Sequence, residues 1–491
     1  MLLVLPIAVP LATAIALQLL PHRPRLLRGV AFAGTLAILG VAMALFARVH
    51  ADGIQVARIG SWPAPFGITL VADLFSALMV MMVGIVGAAV TASAFAGVDP
   101  RREALGYHAL IHVLLMGVAG AFLTGDIFNL YVWFEVTLIS SFVLMSLHRT
   151  RAQLHAAFIY VALNLLASAF LLTAIGLLYG QAGTLNLADL AGTWPGRRTP
   201  ALDAALSMLF LTAFGIKAGL FPLFFWLPAS YHTPPAAVGA LFAGLLTKVG
   251  VYAMIRVFTL LFPDPASSVY SVLLLLSAVT MVVGLVGALA QRDMRRVLSF
   301  NLVGHIGFTT VGLALWTSAA LGASILYALH HMLVITTLFL MTGVFLRQRR
   351  TSNLASLGGL YRTHPGVAVL AMVPIFSLAG VPPLSGFIAK LGIVTAAFEG
   401  PHHWVAAVTL AVGLLTLLSM ARVWDEAVWK PAPTESAAAA PAPLMLAPIA
   451  VLVGLIIALS VAAGPVFDVS RRAAEQLLHP DEYRRAVLGG D

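Results

Sequence analysis

The sequence predicts an all-α protein that crosses a membrane many times. Of its 491 residues, 60% are hydrophobic and only 10% are charged, whereas soluble proteins carry about 25% charged residues. The hydrophobic residues form one apolar segment after another, each near the length of about 20 residues that a helix needs to span a bilayer. Short polar breaks separate these segments. An ordinary soluble fold is therefore excluded, and one membrane domain is expected.

The apolar segments number about fourteen when only those long enough to span a bilayer are counted. Two of them, near residues 214 and 384, are interrupted by proline. We therefore expect about 14 transmembrane helices, with centres near residues 11, 39, 83, 114, 136, 166, 214, 247, 279, 306, 334, 384, 412 and 455.

The basic residues indicate topology and do not indicate a nucleic-acid partner. The formal net charge is +9, but the arginines lie in short loops between apolar segments and form no basic face interleaved with aromatic residues. The positive-inside rule then predicts an outside N-terminus and a multi-pass protein of the bacterial inner membrane. The chain contains no cysteine, which excludes disulfides and thiolate metal sites.

Four ionisable residues fall near the centres of predicted spans: Glu135, Lys217, Lys248 and Lys390. An ionisable side chain at this depth is energetically costly and indicates function by default. Burial disfavours the charged form, and a nearby opposite charge favours it, so such groups can exchange protons. A lateral row of proton sites is expected, in which each site changes the proton affinity of its neighbours. A static ion pair between Glu135 and Lys217 is the structural alternative.

Prolines interrupt the two spans that carry Lys217 and Lys390. Pro222, Pro382 and Pro383 have no backbone N–H, so each leaves the carbonyl four residues earlier without its helical donor. At membrane depth, such carbonyls are tolerated only when they are buried in protein or face water. Two broken helices, each with a buried lysine, suggest two related halves of the chain. Proline kinks that serve only packing are the alternative.

Histidines supply the remaining titratable groups in the predicted spans. His305 and His331 are the expected proton relays, because their helices connect the regions of Lys248 and Lys390, and His331 is favoured over the adjacent His330. His108 and His112 have the i, i+4 spacing of a metal pair, but the sequence suggests no carboxylate or thiol partner for them. A bound metal is therefore not expected there, and helix packing is the competing explanation for this pair.

Other chemistry leaves no signature in the sequence. There is no phosphate-binding loop, dinucleotide fingerprint, zinc-ligand spacing or nucleophile elbow. No sodium-binding cage of oxygen ligands is recognisable either. We therefore expect a transporter component without a cofactor or resident metal, and not an enzyme.

Five sequence motifs resemble the antiporter-like subunits shared by respiratory complex I and Mrp-type cation/proton antiporters. The resemblance runs through residues 70–400, and its motifs are residues 125–135 (GDIFNLYVWFE), 217–222 (KAGLFP), 246–252 (LTKVGVY), 291–296 (QRDMRR) and 377–387 (SLAGVPPLSGF). Within this family, the stretch before Glu135, residues 230–243 and the lysine at 390 are most similar to the D subunits of Mrp Na+/H+ antiporters.

The resemblance implies a fourteen-helix subunit with two inverted five-helix repeats and proton half-channels that meet at a central lysine. Glu135 and Lys217 would be a coupled pair, Lys248 the central relay and Lys390 the end of the row. The partners would be other subunits of the antiporter, the lipid bilayer, and H+ with Na+ or another monovalent cation. The implied division is N-terminal helices in 1–100, repeats in 101–260 and 261–425, and a cytoplasmic linker, last helix and tail in 426–491.

One departure from the resemblance concerns the eleventh helix. Many relatives have a lysine or another polar group just after the histidine, where this chain has Ile335, and the nearest polar residues are Thr336 and Thr337. Two other functions stay open from sequence alone. One is a proton-pumping membrane-arm subunit of an NADH:quinone oxidoreductase or membrane-bound hydrogenase, and the other is a scaffold subunit that transports nothing.

Overall fold

The computed structural model describes residues 1–21, 23–147, 150–431 and 442–489. Within these ranges, eleven helices are long and apolar enough to cross a membrane, and three shorter apolar helices accompany them. The polytopic all-α class predicted from composition is therefore confirmed. The flexible loop predicted over residues 430–443 falls mostly on residues 432–441, outside the described residues.

The first half of the chain forms twelve helices and one short hairpin. In chain order they are α1 Leu5–Leu19, α2 Pro24–Asp52, β1 Gln55–Arg58, β2 Thr69–Ala72, α3 Leu74–Gly97, α4 Pro100–Glu103, α5 Tyr107–Leu123, α6 Ile127–Ser146, α7 Arg151–Ala182, α8 Leu187–Thr193, α9 Pro200–Ala218, α10 Trp226–Ser230, α11 Ala236–Leu241 and α12 Thr247–Leu261. The strands pair antiparallel, with Gln55 opposite Ala72. A π-helical turn over Phe242–Leu246 joins α11 to α12.

The described residues of the second half form helices joined by short loops, with no strand. Its helices are α13 Ser268–Ala290, α14 Met294–Leu315, α15 Ser318–Arg349, α16 Leu360–Thr363, α17 Pro365–Ala379, α18 Ser385–Glu399, α19 His403–Trp424, α20 Pro443–Val461, α21 Ala463–Leu478 and α22 Asp481–Leu488. Helices α12, α14 and α15 form the centre of the bundle, because nearly all of their side chains are buried.

Two interrupted helices share one local geometry. Helix α9 ends at Gly219 with φ 87°, and α17 ends at Gly380 with φ 85°, a left-handed conformation that suits glycine. The next amide in each case, of Leu220 or Val381, donates to a carbonyl five residues earlier. The chain then leaves the helix and passes through the proline-containing segment before α10 or α18 begins.

Two helix-capping sites, one in each half of the chain, share a second hydrogen-bond pattern with each other. Asp126 caps α6 and bridges to Asn186, which caps α8; Asp293 caps α14 and bridges to Asn353, which caps the 3-10 turn after α15. The amide after each aspartate donates to the residue before the bridged asparagine. The chain thus uses one capping arrangement twice.

The C-terminal tail packs on the bundle as two amphipathic helices, α21 and α22. The carboxamide oxygen of Gln476 accepts from the amide of Leu74 at 3.2 Å. Tyr483 of α22 is buried, and its ring centre lies 5.3 Å from the guanidinium carbon of Arg256. Arg256 itself forms a buried ion pair with Asp73 at 2.6 Å, which joins α12 to the start of α3.

Candidate functional site

Glu135 and Lys217 are connected through a serine hydroxyl. The ammonium group of Lys217 donates to Ser168 Oγ at 3.0 Å, and Ser168 Oγ donates in turn to a carboxylate oxygen of Glu135. Lys217 is buried, whereas Glu135 is half-buried on the outer side of α6. The ring of Phe134 also contacts the lysine, with its centre 4.5 Å from Nζ. In the described residues the two charged groups thus meet through Ser168 instead of forming a direct ion pair.

A small cavity extends from Lys217 toward the centre of the bundle. It has a volume of about 20 Å³, enough for about one water molecule. Tyr160 and Asn164 of α7 line it together with Lys217, and Leu246 and Val249 border it on the opposite side. Leu246 and Val249 are close to Lys248 in the chain, so a water in this cavity would contact Lys217 and lie against the start of the helix that carries Lys248.

Lys248 is held by a backbone carbonyl that the π-helical turn exposes. Its ammonium group donates to the carbonyl oxygen of Ala243 at 2.8 Å. Ala243 lies inside the turn over Phe242–Leu246, where the regular helical hydrogen bonds are interrupted. Lys248 is 2% exposed, so its charge interacts with the protein interior and not with bulk solvent.

Histidines and tyrosine form a stacked cluster beyond Lys248. The rings of His305 and His331 are stacked with centres 5.1 Å apart, and Tyr327 donates to or accepts from His305 Nδ1. Tyr327 also lies 5.5 Å from the ring of His330. Neither ring nitrogen of His331 has a hydrogen-bond partner among the described residues, which leaves both available for a proton or a water.

Lys390 closes the row at the second broken helix. Its ammonium group donates to the carbonyls of Leu378 and Ala379, at 3.1 Å each. His330 Nδ1 lies 2.9 Å from Ser385 Oγ, at the start of the helix that carries Lys390. Lys390 also lines a cavity of about 480 Å³ between α17, α18 and α19.

The residues predicted from sequence are thus arranged in two groups. Glu135 and Lys217 form the first group, and the second consists of Lys248, His305, His331 and Lys390, in which both histidines interact electrostatically with both lysines. Pro222 lies in the interruption after α9. Pro382 and Pro383 lie in the interruption after α17.

Several polar residues of the site were not predicted from the sequence. Ser168 bridges the first group, and Tyr327 and Ser385 contribute to the second, where Ser385 contacts His330, the histidine that the sequence offers beside His331. One signal could have found Ser168: Tyr160, Asn164 and Ser168 recur every four residues in an otherwise apolar helix, which places them on one face. For Ser385 and His330, the contact depends on tertiary packing alone.

Next to Ile335, the hydroxyl of Thr336 is buried beside the π-helical turn. Ile335 is buried, and Thr337 donates to its own helix at Leu333. Thr336 Oγ1 is buried without a hydrogen-bond partner among the described residues and lies against Gly244 of the π-helical turn. A polar group therefore still faces the segment that holds Lys248.

His108 has a carboxylate partner that its sequence neighbours do not indicate. Glu103 Oε1 lies 3.2 Å from His108 Nε2 and 2.8 Å from Arg28 Nε. The turn between α4 and α5 folds Glu103 back onto the helix, a contact that spacing along one helix cannot reveal. Arg28 already neutralises the carboxylate, and no group of three or more metal-binding side chains occurs in the described ranges.

Related proteins match the chain over nearly its whole length. The chain is 41% identical over 488 residues to the D subunit of the Na(+)/H(+) antiporter from Alkalihalophilus pseudofirmus, covering 99% of both chains. It is 37% identical over 489 residues to the D subunit of the Na(+)/H(+) antiporter from Bacillus subtilis, with 99% of both covered. In the Mrp complex from Dietzia sp. DQ12-45-1b, one chain superposes with a TM-score of 0.90 at 32% identity, with 99% of both chains covered.

A more distant solved structure shares the fold. A chain of an archaeal membrane-bound sulfane sulfur reductase superposes with a TM-score of 0.91 at 26% identity, with 99% of both chains covered.

A bundle with two broken helices and a buried row of lysines and histidines defines the class of antiporter-like membrane subunits. The sequence profile described as NADH:quinone oxidoreductase/Mrp antiporter, TM, matches residues 124–417 of the chain. Within that class, the chain belongs to the family of Mrp Na+/H+ antiporter D subunits.

Proposed function

We propose that this chain is the proton-translocating subunit of a multi-subunit Na+/H+ antiporter. The observation that carries the proposal is the succession of buried groups from Glu135 through Ser168 and Lys217, and from Lys248 through the histidines to Lys390. The relatives named as D subunits of Na(+)/H(+) antiporters, at 41% and 37% identity, support the exchange of sodium for protons.

The proton moves between groups that can each donate and accept. Lys217 lines a cavity with room for one water that also borders Leu246 and Val249, near Lys248 in the chain, and the stacked histidines interact electrostatically with both Lys248 and Lys390. Glu135, Lys217, Lys248, His305, His331 and Lys390 are the proposed proton carriers. Because each carrier changes charge when it binds a proton, occupancy of one site alters the proton affinity of the next.

The proposed architecture has fourteen spans and two inverted repeats of five helices. The eleven long apolar helices, the two short apolar helices α1 and α5 and the α17–α18 pair supply fourteen segments. The duplicated caps at Asp126 and Asp293 support the repeats. Asp126 lies at the start of α6, whereas Gln153 follows the other end of α6. Gln153 and Arg295, which is close to Asp293 in the chain, line the same cavity. Asp126 and Asp293 therefore lie at opposite ends of the bundle. Residues 101–260 and 261–425 are the corresponding proposed units.

The proposed location is the bacterial inner membrane with the N-terminus outside. This orientation places the arginine-rich loops, including Arg102, Arg295 and Arg347, on the cytoplasmic side. The other antiporter subunits are the proposed partners. The half-buried Glu135 on the outer side of α6 and the cavity beside Lys390 are suited to face them.

Proton flux in the reconstituted complex tests the proposal. The assembled complex with Lys248→Met is inserted in vesicles, and sodium-dependent proton flux is compared with wild type. We expect flux to be abolished, because the central site can no longer bind a proton. Lys430→Met is the matched control, since Lys430 lies in a surface loop and pairs with Glu426. Normal flux in an assembled Lys248→Met complex would support a scaffold role and contradict the proposal.

Identification of the partner subunits distinguishes an antiporter subunit from a subunit of a redox-driven pump. Purification of the tagged chain in mild detergent is expected to bring down small multi-span antiporter subunits. Iron-sulfur or quinone-binding subunits in the complex would instead indicate a redox-driven respiratory complex; the sulfane sulfur reductase that shares this fold is an archaeal respiratory membrane complex.

A further inference from the structure

A cavity of about 410 Å³ lies at the arginine-rich end of the bundle. Three arginines from separate elements line it: Arg102 of α4, Arg295 at the start of α14 and Arg347 near the end of α15. No aspartate or glutamate among the described residues lines this cavity. The cavity therefore has a concentrated positive charge without an acidic partner on its wall.

The arginines retain donors that their protein contacts do not use. Arg295 Nη1 donates to the carbonyl of Pro234 at 3.5 Å, and Arg347 Nη1 donates to the carbonyl of Ala96 at 3.4 Å. Both hydrogen bonds are long, and a guanidinium group has five N–H donors. Arg295 Nε is buried without a partner among the described residues. Unused buried donors of this kind suit an anion with several acceptor oxygens.

Gln153 adds an acceptor to the same wall. Its side chain is 4% exposed, and its Nε2 donates to the carbonyl of Thr233 at 3.2 Å. Its Oε1 is buried and has no hydrogen-bond partner in the described part of the chain. An unpaired amide oxygen beside arginines suits a ligand that presents a hydroxyl group close to its anionic group.

Part of the cavity wall is apolar. Leu340, Leu346 and Met445 line it from α15 and α20, two helices that are apolar enough to cross a membrane. A ligand in this cavity would thus contact both charged groups and aliphatic side chains.

We propose that this cavity binds the headgroup of an anionic glycerophospholipid, with phosphatidylglycerol as the best match. Its phosphodiester would accept from the arginines, its glycerol hydroxyl would donate to Gln153 Oε1, and an acyl chain would lie along the apolar wall. Basic pockets between transmembrane helices on the cytoplasmic side are suited to anionic lipid headgroups. The proposed proton carriers do not line the cavity, so the lipid site is separate from the proton row.

Lipid retention by the intact complex tests the site. The variant Arg102→Gln/Arg347→Gln removes two of the arginines, and Arg151→Gln/Arg350→Gln removes equal charge from exposed arginines outside the cavity. Phosphatidylglycerol bound per complex is measured by native mass spectrometry. We expect affinity to fall by about tenfold or more in the first variant and to stay unchanged in the second. Equal retention in all three proteins would overturn the proposal, and so would equal loss in both variants.

A measurement on the wild-type complex covers the case in which a variant does not assemble. A photoactivatable phosphatidylglycerol is cross-linked to the complex, and labelled peptides are identified. Labelling of residues 93–102, 233–237 and 340–347 that excess phosphatidylglycerol prevents, and that millimolar inorganic phosphate leaves intact, is expected. Protection by inorganic phosphate alone would assign the cavity to a soluble anion. Absence of labelling, or a partner subunit's acidic segment cross-linked there instead, would refute the lipid assignment.

Discussion

The ammonium group of Lys390 binds the two backbone carbonyls that the break in its own helical segment leaves without donors. Leu378 and Ala379 lie at the end of α17, and each accepts from Lys390 Nζ at 3.1 Å. The prolines at 382 and 383 cannot donate to these carbonyls, because proline has no backbone N–H. The broken helix therefore creates the binding site for the lysine, and the lysine in turn satisfies the broken helix.

Substitution of Lys390 should separate its structural contribution from its proton chemistry. Lys390→Gln keeps a donor for the carbonyls but cannot carry a proton, so we expect an assembled, stable complex without sodium-dependent proton flux. Lys390→Met leaves both carbonyls unpaired, which costs about 1–3 kcal/mol for each buried group. Flux in vesicles and thermal unfolding in detergent measure the two effects. Wild-type flux in the Lys390→Gln complex would contradict a proton-carrying role.

Loss of the Ser168 hydroxyl should disconnect Glu135 from Lys217. Ser168→Ala removes a hydrogen bond to each charged group, and such bonds contribute about 1.5–3 kcal/mol, equivalent to a factor of about 10 to 100. We expect proton flux to fall by about tenfold or more, with Ser168→Thr retaining most of it because the hydroxyl is kept.

Thr173→Val is the matched control for Ser168. Thr173 lies on the same helix, is exposed and bonds only its own backbone at Ala169 among the described contacts. Flux should remain at the wild-type level in this variant. Equal flux in Ser168→Ala and wild type would show that the two charged groups communicate without the hydroxyl.

Gly250 should be intolerant of even a methyl group. A Cβ at Gly250 would lie 2.6 Å from the backbone nitrogen of Ala218 and 2.8 Å from the carbonyl carbon of Lys217. Since these atoms are backbone, α12 or the end of α9 must move, and we expect Gly250→Ala to cost about 1–3 kcal/mol and to reduce flux. Gly176→Ala in α7 meets no atom within 4 Å and should leave thermal stability and flux unchanged. Identical melting temperatures for the two variants would contradict this prediction.

The buried pair of Arg256 and Asp73 should be the most costly ion pair to break. Arg256→Gln leaves Asp73 buried without its cation, a change that typically costs about 3–5 kcal/mol. The exposed pair of Arg48 and Asp52 provides the comparison, and Arg48→Gln should cost at most about 1 kcal/mol. Thermal unfolding in detergent measures both. Tyr483 contacts Arg256, so cleavage of α22 by added protease should also become faster in Arg256→Gln alone.

Structural features that depend only on neighbouring residues in the chain could be predicted from the sequence. The apolar runs predicted an all-α membrane protein, and the prolines indicated where the segments of Lys217 and Lys390 are interrupted, because both effects depend only on neighbours in the chain. Contacts made across the bundle could not be predicted. Ser168 meets Glu135 and Lys217 only because α6, α7 and α9 pack together, and Glu103 is joined to Arg28, 75 residues earlier in the chain.

The π-helical turn that holds Lys248 belongs to the same category of unpredicted features. Residues 242–246 contain no proline, so nothing local in the sequence marks the interruption. The turn packs against α15, where Thr336 lies beside Gly244. Its position is therefore set by two helices together, and sequence periodicity within one of them does not reveal it.

Lys248 and Lys390 are both held by neutral backbone oxygens. A fixed carboxylate would let a lysine keep its proton whatever its neighbours do, whereas carbonyl dipoles leave each added positive charge poorly compensated. In a low-dielectric interior, two such charges repel over several ångströms. In the proposed proton row, a proton bound at one lysine would therefore disfavour protonation of the next lysine until another proton leaves.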